Sequence, residues 1–210
     1  MQKIDLKKEL KYLYQPSSKQ VTVVDVPRFN FAMLDGQIEA GVLPGNSLDY
    51  QNTMGAIYGV AYTLKFMSKL RKNNPIDYPV MPSEGLWWVL FGEYDFQTKE
   101  LWQYTMMISL PNHITQLMFD EAIAQLKKKK VNPAIDKLYM KSFEEGLCMQ
   151  IMHIGPYADE PRTIALMAQF AQGHRYQTRG RHHEIYMGDP RRAKPENLKT
   201  VLRHPIEKVS

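Results

Sequence analysis

The apolar pattern of this 210-residue chain switches between strand and helix period in one order, and then does so again in the same order. Between residues 18 and 112, VTVVDVPRFNFAMLDG carries β-branched and aromatic residues on both sides of Pro27, which predicts a strand, a break and a second strand ending at Gly36. After a loop from Gly41 to Gly45, residues 50–71 place Met54, Ile57, Tyr58, Ala61, Leu64, Phe66 and Leu70 at helical spacing, with Asn73, Asn74 and Pro75 closing the helix. EGLWWVLFGEY and LWQYTMMISL then read as two strands joined by the charged turn from Asp95 to Lys99. From 135 to 206 the order returns. LYMKSFEEGLCMQIMHIG is predicted as a hairpin turning at Glu144 to Gly146, PRTIALMAQFAQ as a short helix ending at Gly173, and HHEIYMGD and LKTVLRHPIE as two strands. A helix over 113–130 links the halves, and an amphipathic helix over 2–14, with Ile4, Leu6, Leu10 and Leu13 on its apolar side and Pro16 stopping it, precedes them.

The repeated order implies an α+β fold: one domain over 1–210 built as a tandem pseudo-repeat of β-α-β-β units, about 18–112 and 135–206. Each half offers one long helix as cover, too little for its own sheet, so the halves are expected to pack together as an antiparallel sheet with helices on one face. The uncovered face between them is then expected to be concave, a common place for ligands. The 44% hydrophobic content can supply such a core. No apolar run approaches the roughly 20 residues that cross a bilayer, and MQKIDLKKEL lacks a signal-peptide apolar region, so a cytoplasmic protein without membrane contact is expected. One cysteine, Cys148, excludes an internal disulfide and any multi-cysteine metal site. The net charge of +5 gathers in Lys127 to Lys130 at a helix end and in Arg191, Arg192 and Lys194 in a loop, and nucleic acid is not the expected partner.

Three stretches could carry chemistry. Alternate side chains of a strand share a face, so in HHEIYMGDPRR the side chains of His182, Glu184 and Tyr186 point one way and His183, Ile185 and Met187 the other. That puts a carboxylate between a histidine and a phenol, either facing solvent or flooring a cleft, where it could attract a cation or act on water as a general base. Adjacent histidines diverge on a strand, which argues against a shared metal ion. In EGLWWVLF and LWQY, Trp87 and Trp88 point to opposite faces, as do Trp102 and Gln103. Rings of this size fit the core or, with Tyr104, a cleft that stacks on flat or cationic ligands. In HIGPYADEP a turn at Gly155 and Pro156 fixes Tyr157 beside the sheet end, while Asp159, Glu160 and Pro161 suit a helix start. No nucleophile elbow, phosphate loop or dinucleotide fingerprint is present, so no cofactor is expected.

KIDLKKELKYLYQPS, AYTLKFMSK, VMPSEGLWW, FEEGLCMQIMHIGPYADEP, HHEIYMGDPRR and LKTVLRHP, in that order, resemble the GyrI-like small-molecule-binding family across essentially the whole chain. The resemblance implies the effector-binding fold of bacterial multidrug regulators, with a ligand pocket between the halves, a glutamate at Glu184 and aromatic rings around it. Some stand-alone relatives are similar to hydrolases that open the cyclopropane ring of cyclopropanoid DNA-alkylating compounds. On that reading Glu184 orients or activates water, Tyr157 assists by hydrogen bonding, and Trp87 or Trp88 stacks on the ligand, with Trp102, Tyr104, His182 and Tyr186 completing the pocket. A binding or sensing module without turnover is the alternative that the aromatic and carboxylate constellation motivates, and a gyrase-interacting protein is the one that follows only from the family name. The sequence departs from the resemblance at Ser83, where a bulkier apolar residue is expected, and in the longer loop DGQIEAGVLPGN.

Overall fold

The structure, a computed structural model, describes residues 1–89, 101–129 and 131–209. In chain order the elements are β1 (Gln2–Lys3), α1 (Leu6–Glu9), α2 (Lys11–Tyr14), β2 (Thr22–Val26), β3 (Phe29–Ile38), α3 (Leu48–Lys69), β4 (Ile76–Asp77), β5 (Ser83–Val89), β6 (Trp102–Leu110), α4 (Gln116–Lys129), β7 (Tyr139–Phe143), β8 (Gly146–Ile154), α5 (Glu160–Gly173), β9 (Tyr176–Thr178), β10 (His182–Tyr186) and β11 (Lys199–Lys208). One antiparallel sheet runs β2-β8-β11-β10-β5-β6-β3-β7, with β9 added beside β11. Exchanging β2 with β7, β3 with β8, β5 with β10 and β6 with β11 returns this order read backwards. The fold is α+β, as expected.

Several local expectations are corrected. β7 and β8 do not form a hairpin: β7 pairs with β3 and β8 with β2 and β11, because Glu144 and Glu145 carry the chain onward without reversing it, opposite the break at Pro27 and Arg28 between β2 and β3, where Arg28 pairs with Glu144. The amphipathic stretch 2–14 is a two-residue strand paired in parallel with β4, then two short helices broken at Leu10, whose ψ of 40° is not helical. The helix expected over 113–130 starts at Gln116, since the Thr115 hydroxyl caps it by accepting from the Met118 amide and His113 is held by Ser68 of α3. α3 starts at Leu48, capped by Ser47, and ends at Lys69. The turn from Asp95 to Lys99 lies outside the described residues.

Alternation along the strands sorts the sheet into two faces. α3 lies on the face carrying Leu34, Trp87, Tyr104 and Met106, and α5 covers Met149, Ile151 and Leu202 on that same face. The opposite face is also covered in part. Tyr14 of α2 donates to Glu84, and the Leu13 carbonyl accepts from Arg203, so the N-terminal segment is strapped across the sheet centre. Helices are therefore not confined to one face, and α3 and α5 lie side by side on the face that carries Glu184.

Candidate functional site

β10 and β5 meet at the centre of the sheet, with His182 opposite Trp87 and Glu184 opposite Gly85. Glu184 lies on the face of the sheet that α3 and α5 cover and is 4% exposed. Its Oε2 accepts from the Tyr186 hydroxyl at 2.7 Å, and its Oε1 lies 3.2 Å from His182 Nε2. The Tyr186 hydroxyl in turn accepts from Trp87 Nε1 at 2.9 Å, so a chain of donors runs from indole to phenol to carboxylate. The absent side chain of Gly85 makes this possible: a Cβ there would stand 2.7 Å from Trp87 Nε1 and 3.2 Å from Met106 Sδ. The indole lies over the glycine and beside the carboxylate.

Rings wall this floor. Tyr50 of α3 packs against Trp87 with centroids 6.0 Å apart and edge-on against Tyr104 at 5.4 Å, while Tyr157, in the turn before α5, meets Tyr186 edge-on at 5.9 Å. Tyr58 of α3 donates to Ser83 at 3.1 Å, so the residue that departs from the resemblance supplies a polar anchor for a wall ring. Burial raises the Tyr50, Tyr157 and Tyr186 hydroxyls, and the charge of Glu184 adds to each shift; Tyr157 is pushed up to about 12. At neutral pH these phenols keep their protons and act as donors, not as bases. Beneath them sits Glu160, the first residue of α5 and 0% exposed. Burial, and then the charge of Glu184, push its carboxyl up to about 10.

The structure brings Glu184, His182, Tyr186, Trp87 and Tyr157 together. Trp102 and Tyr104 stand behind Trp87, at 6.2 and 5.6 Å between centroids, and the Tyr104 hydroxyl is spent on Asp49 and Thr53. Trp88 is on the other face, where the Arg181 guanidinium lies 3.4 Å from its ring centroid. The hydroxyl that reaches Glu184 is that of Tyr186, and Tyr157 contributes its ring. His183 turns away from His182 and joins a buried network on the far face, 2.9 Å from Glu145 and 3.1 Å from Glu84. Sequence reasoning missed Tyr50, Glu160 and Gly85. Tyr50 and Tyr58, eight residues apart on one helix face, were a readable signal, whereas Glu160 looks like any acidic residue in a first helical turn. A hollow of about 680 Å³ lies between α3 and α4, lined by Tyr62, Phe66, Leu70 and Met118, and none of the residues of the Glu184 cluster lines it.

The GyrI-like small molecule binding domain matches residues 19–207. The chain belongs to the GyrI-like family. Two GyrI-like relatives of known structure are a Listeria innocua protein described as a hydrolase, 35% identical with a TM-score of 0.86 over 98% of this chain and 100% of that one, and an uncharacterized conserved Listeria innocua protein, 34% identical with a TM-score of 0.87 over 97% and 100%. The EcmrR C-terminal domain, 11% identical with a TM-score of 0.54 over 90% of this chain and 98% of that one, shares the fold alone. No curated protein matches the chain. Among the described residues no helix is long and apolar enough to cross a membrane.

Proposed function

We propose that this GyrI-like chain holds a flat apolar ligand, aromatic or cationic, against Trp87 and the tyrosine wall, and adds water to the strained ring of cyclopropanoid compounds at Glu184. The observation that carries the reading is the orientation of the Glu184 carboxylate by Tyr186 and His182 at the bottom of an aromatic enclosure. The hydrolase description of the Listeria innocua relative that is 35% identical supports it. In this chemistry Glu184 accepts a proton from water, the water oxygen bonds to the ring methylene carbon and the strained C–C bond breaks. The released electron pair passes into the attached conjugated system, which takes up a proton. Tyr186, as a phenol, donates to Glu184, and Tyr157 presents its ring.

Mass spectrometry of a cyclopropanoid incubated with the protein is expected to show a product heavier by one water, formed much more slowly with Glu184→Gln. Ring opening no faster than in buffer, or a variant as fast as the wild type, removes the enzymatic reading. Sequestration without turnover is the second reading. The observation favouring it is that the Glu184 side chain is only 5% exposed, so a ligand seated there is shielded from the water a hydrolase must admit.

A further inference from the structure

We propose that Glu160 is the second carboxyl of the ligand site, and that an organic cation entering beside Glu184 displaces the proton Glu160 carries. Glu160 is fully buried, with no well-formed hydrogen bond to either carboxyl oxygen, and the neighbouring Thr200 hydroxyl is close enough to pull against the rise that burial and Glu184 impose. A first-turn acid ordinarily gains from the positive end of the helix as a charged group. Here that advantage is outweighed, because the side chain is turned inward toward a second carboxylate. Among the described residues no lysine or arginine forms an ion pair with Glu160 or Glu184.

The groups around Glu160 are accounted for element by element. β10 presents Glu184 and Tyr186, the turn before α5 presents Tyr157, and β11 presents Thr200. From α3, Tyr50 feels Glu184. His153 of β8 is occupied by the Thr163 hydroxyl at 2.8 Å and the Pro156 carbonyl at 3.2 Å, and His182 lies against Glu184. No lysine or arginine is among them, and without a bound cation burial and the Glu184 charge keep Glu160 protonated. A permanent cation supplies the missing charge, lets Glu160 ionise beside Glu184, and is attracted by the rings of Tyr50, Tyr157 and Trp87. The proton leaves to solvent. The inference rests on the small-molecule reading of the Glu184 site but not on turnover there.

The test uses the full chain and ethidium, a flat aromatic cation of fixed charge, with the neutral ring phenanthridine as control. In weakly buffered solution near neutrality, ethidium is expected to release about one proton per dye bound, and its dissociation constant to fall about tenfold per pH unit between about pH 6 and pH 9. Phenanthridine is expected to release none. Glu160→Gln is expected to bind ethidium without proton release and with no such pH slope. No release from the wild type, equal release from Glu160→Gln, which would move the proton to His182 or a tyrosine, or no dye binding at any pH overturns the inference. If Glu160→Gln does not fold, the infrared carbonyl band of a protonated carboxyl in the wild type decides, since its persistence at saturating dye also overturns it. Ring opening is measured separately, so water addition without proton-linked binding would sink this inference and leave the proposed function standing, and the reverse result would do the opposite.

Discussion

Glu184 and Tyr186 stand two residues apart on β10, and their side chains therefore share a face, with the phenol donating to the carboxylate at 2.7 Å. Because the same hydroxyl accepts from Trp87 at 2.9 Å, the carboxylate is tied to the position of an indole on the next strand. Burial and the Glu184 charge hold the Tyr186 phenol well above its ordinary range, so the direction of donation is fixed at neutral pH.

Removing only that hydroxyl tests what the tie does. A hydrogen bond to a charged group contributes roughly 1.5–3 kcal/mol, and here it also orients Glu184. Tyr186→Phe is expected to fold and to lower kcat/KM for ring opening by about tenfold or more. Steady-state rates on a cyclopropanoid check this, and an unchanged kcat/KM would show that the bond is not used.

Trp87 and Trp88 are adjacent in sequence and separated by the sheet. Trp87 faces Tyr50 and the Glu184 cluster, whereas Trp88 lies under Arg181 on the opposite face. Trp87→Ala is expected to weaken binding of a flat aromatic ligand by about tenfold or more, while Trp88→Ala changes it by less than about twofold. Fluorescence titration of both variants decides, and comparable losses would contradict the division between faces.

Gly85 leaves room that any side chain would take away. Its added Cβ would press on Trp87 Nε1 and Met106 Sδ in a fully packed region. Gly85→Ala is expected to cost about 1–3 kcal/mol of stability, the range for overpacking, and to weaken aromatic ligands along with it. Denaturant unfolding and the same titration measure both, and a variant as stable as wild type with full affinity would mean that the indole has slack.

The α+β class, the strands carrying the site and the shared face of His182, Glu184 and Tyr186 were legible because a period of two fixes which side chains point together. Which tryptophan joins them was not, since alternation separates Trp87 from Trp88 without saying which face the helices cover. The hairpin expected at Glu144 to Gly146 failed for a related reason: two strands joined by two residues look as if they must fold back on each other, yet β7 and β8 run on in one direction beside β3 and β2. We propose that the reversed symmetry of the strand order reflects two halves, about 18–112 and 135–206, each lending its first strand to the other. Glu160 escaped notice because acidic residues at helix starts are usually solvated, and only the tertiary packing of α5 turns this one inward.

The far face of the sheet carries a charge network whose behaviour with pH follows from its pKa shifts. Arg203 and His183 converge on Glu145 at 3.2 and 2.9 Å, with all three residues buried. Burial alone would raise Glu145, but His183 and Arg203 pull it down to about 2; burial would lower His183, but Glu145 and Glu84 push it up to about 9. Glu145, depressed from 4.5, contributes stability above that value that is lost as pH falls toward about 2. His183, raised from 6.5, contributes stability below that value that is lost as pH rises through about 9. Glu160, raised from 4.5 to about 10, makes stability fall across much of the same alkaline range, so the network is best read in a Glu160→Gln background. There, unfolding free energy is expected to be greatest between about pH 4.5 and 6.5 and to decline on either side. Adding His183→Gln should flatten the alkaline limb, and Glu145→Gln should cost roughly 3–5 kcal/mol by removing the buried carboxylate that Arg203 and His183 share. Urea unfolding at about pH 3, 5.5 and 8.5 gives the three points needed, and an alkaline decline that survives His183→Gln would assign it to another group.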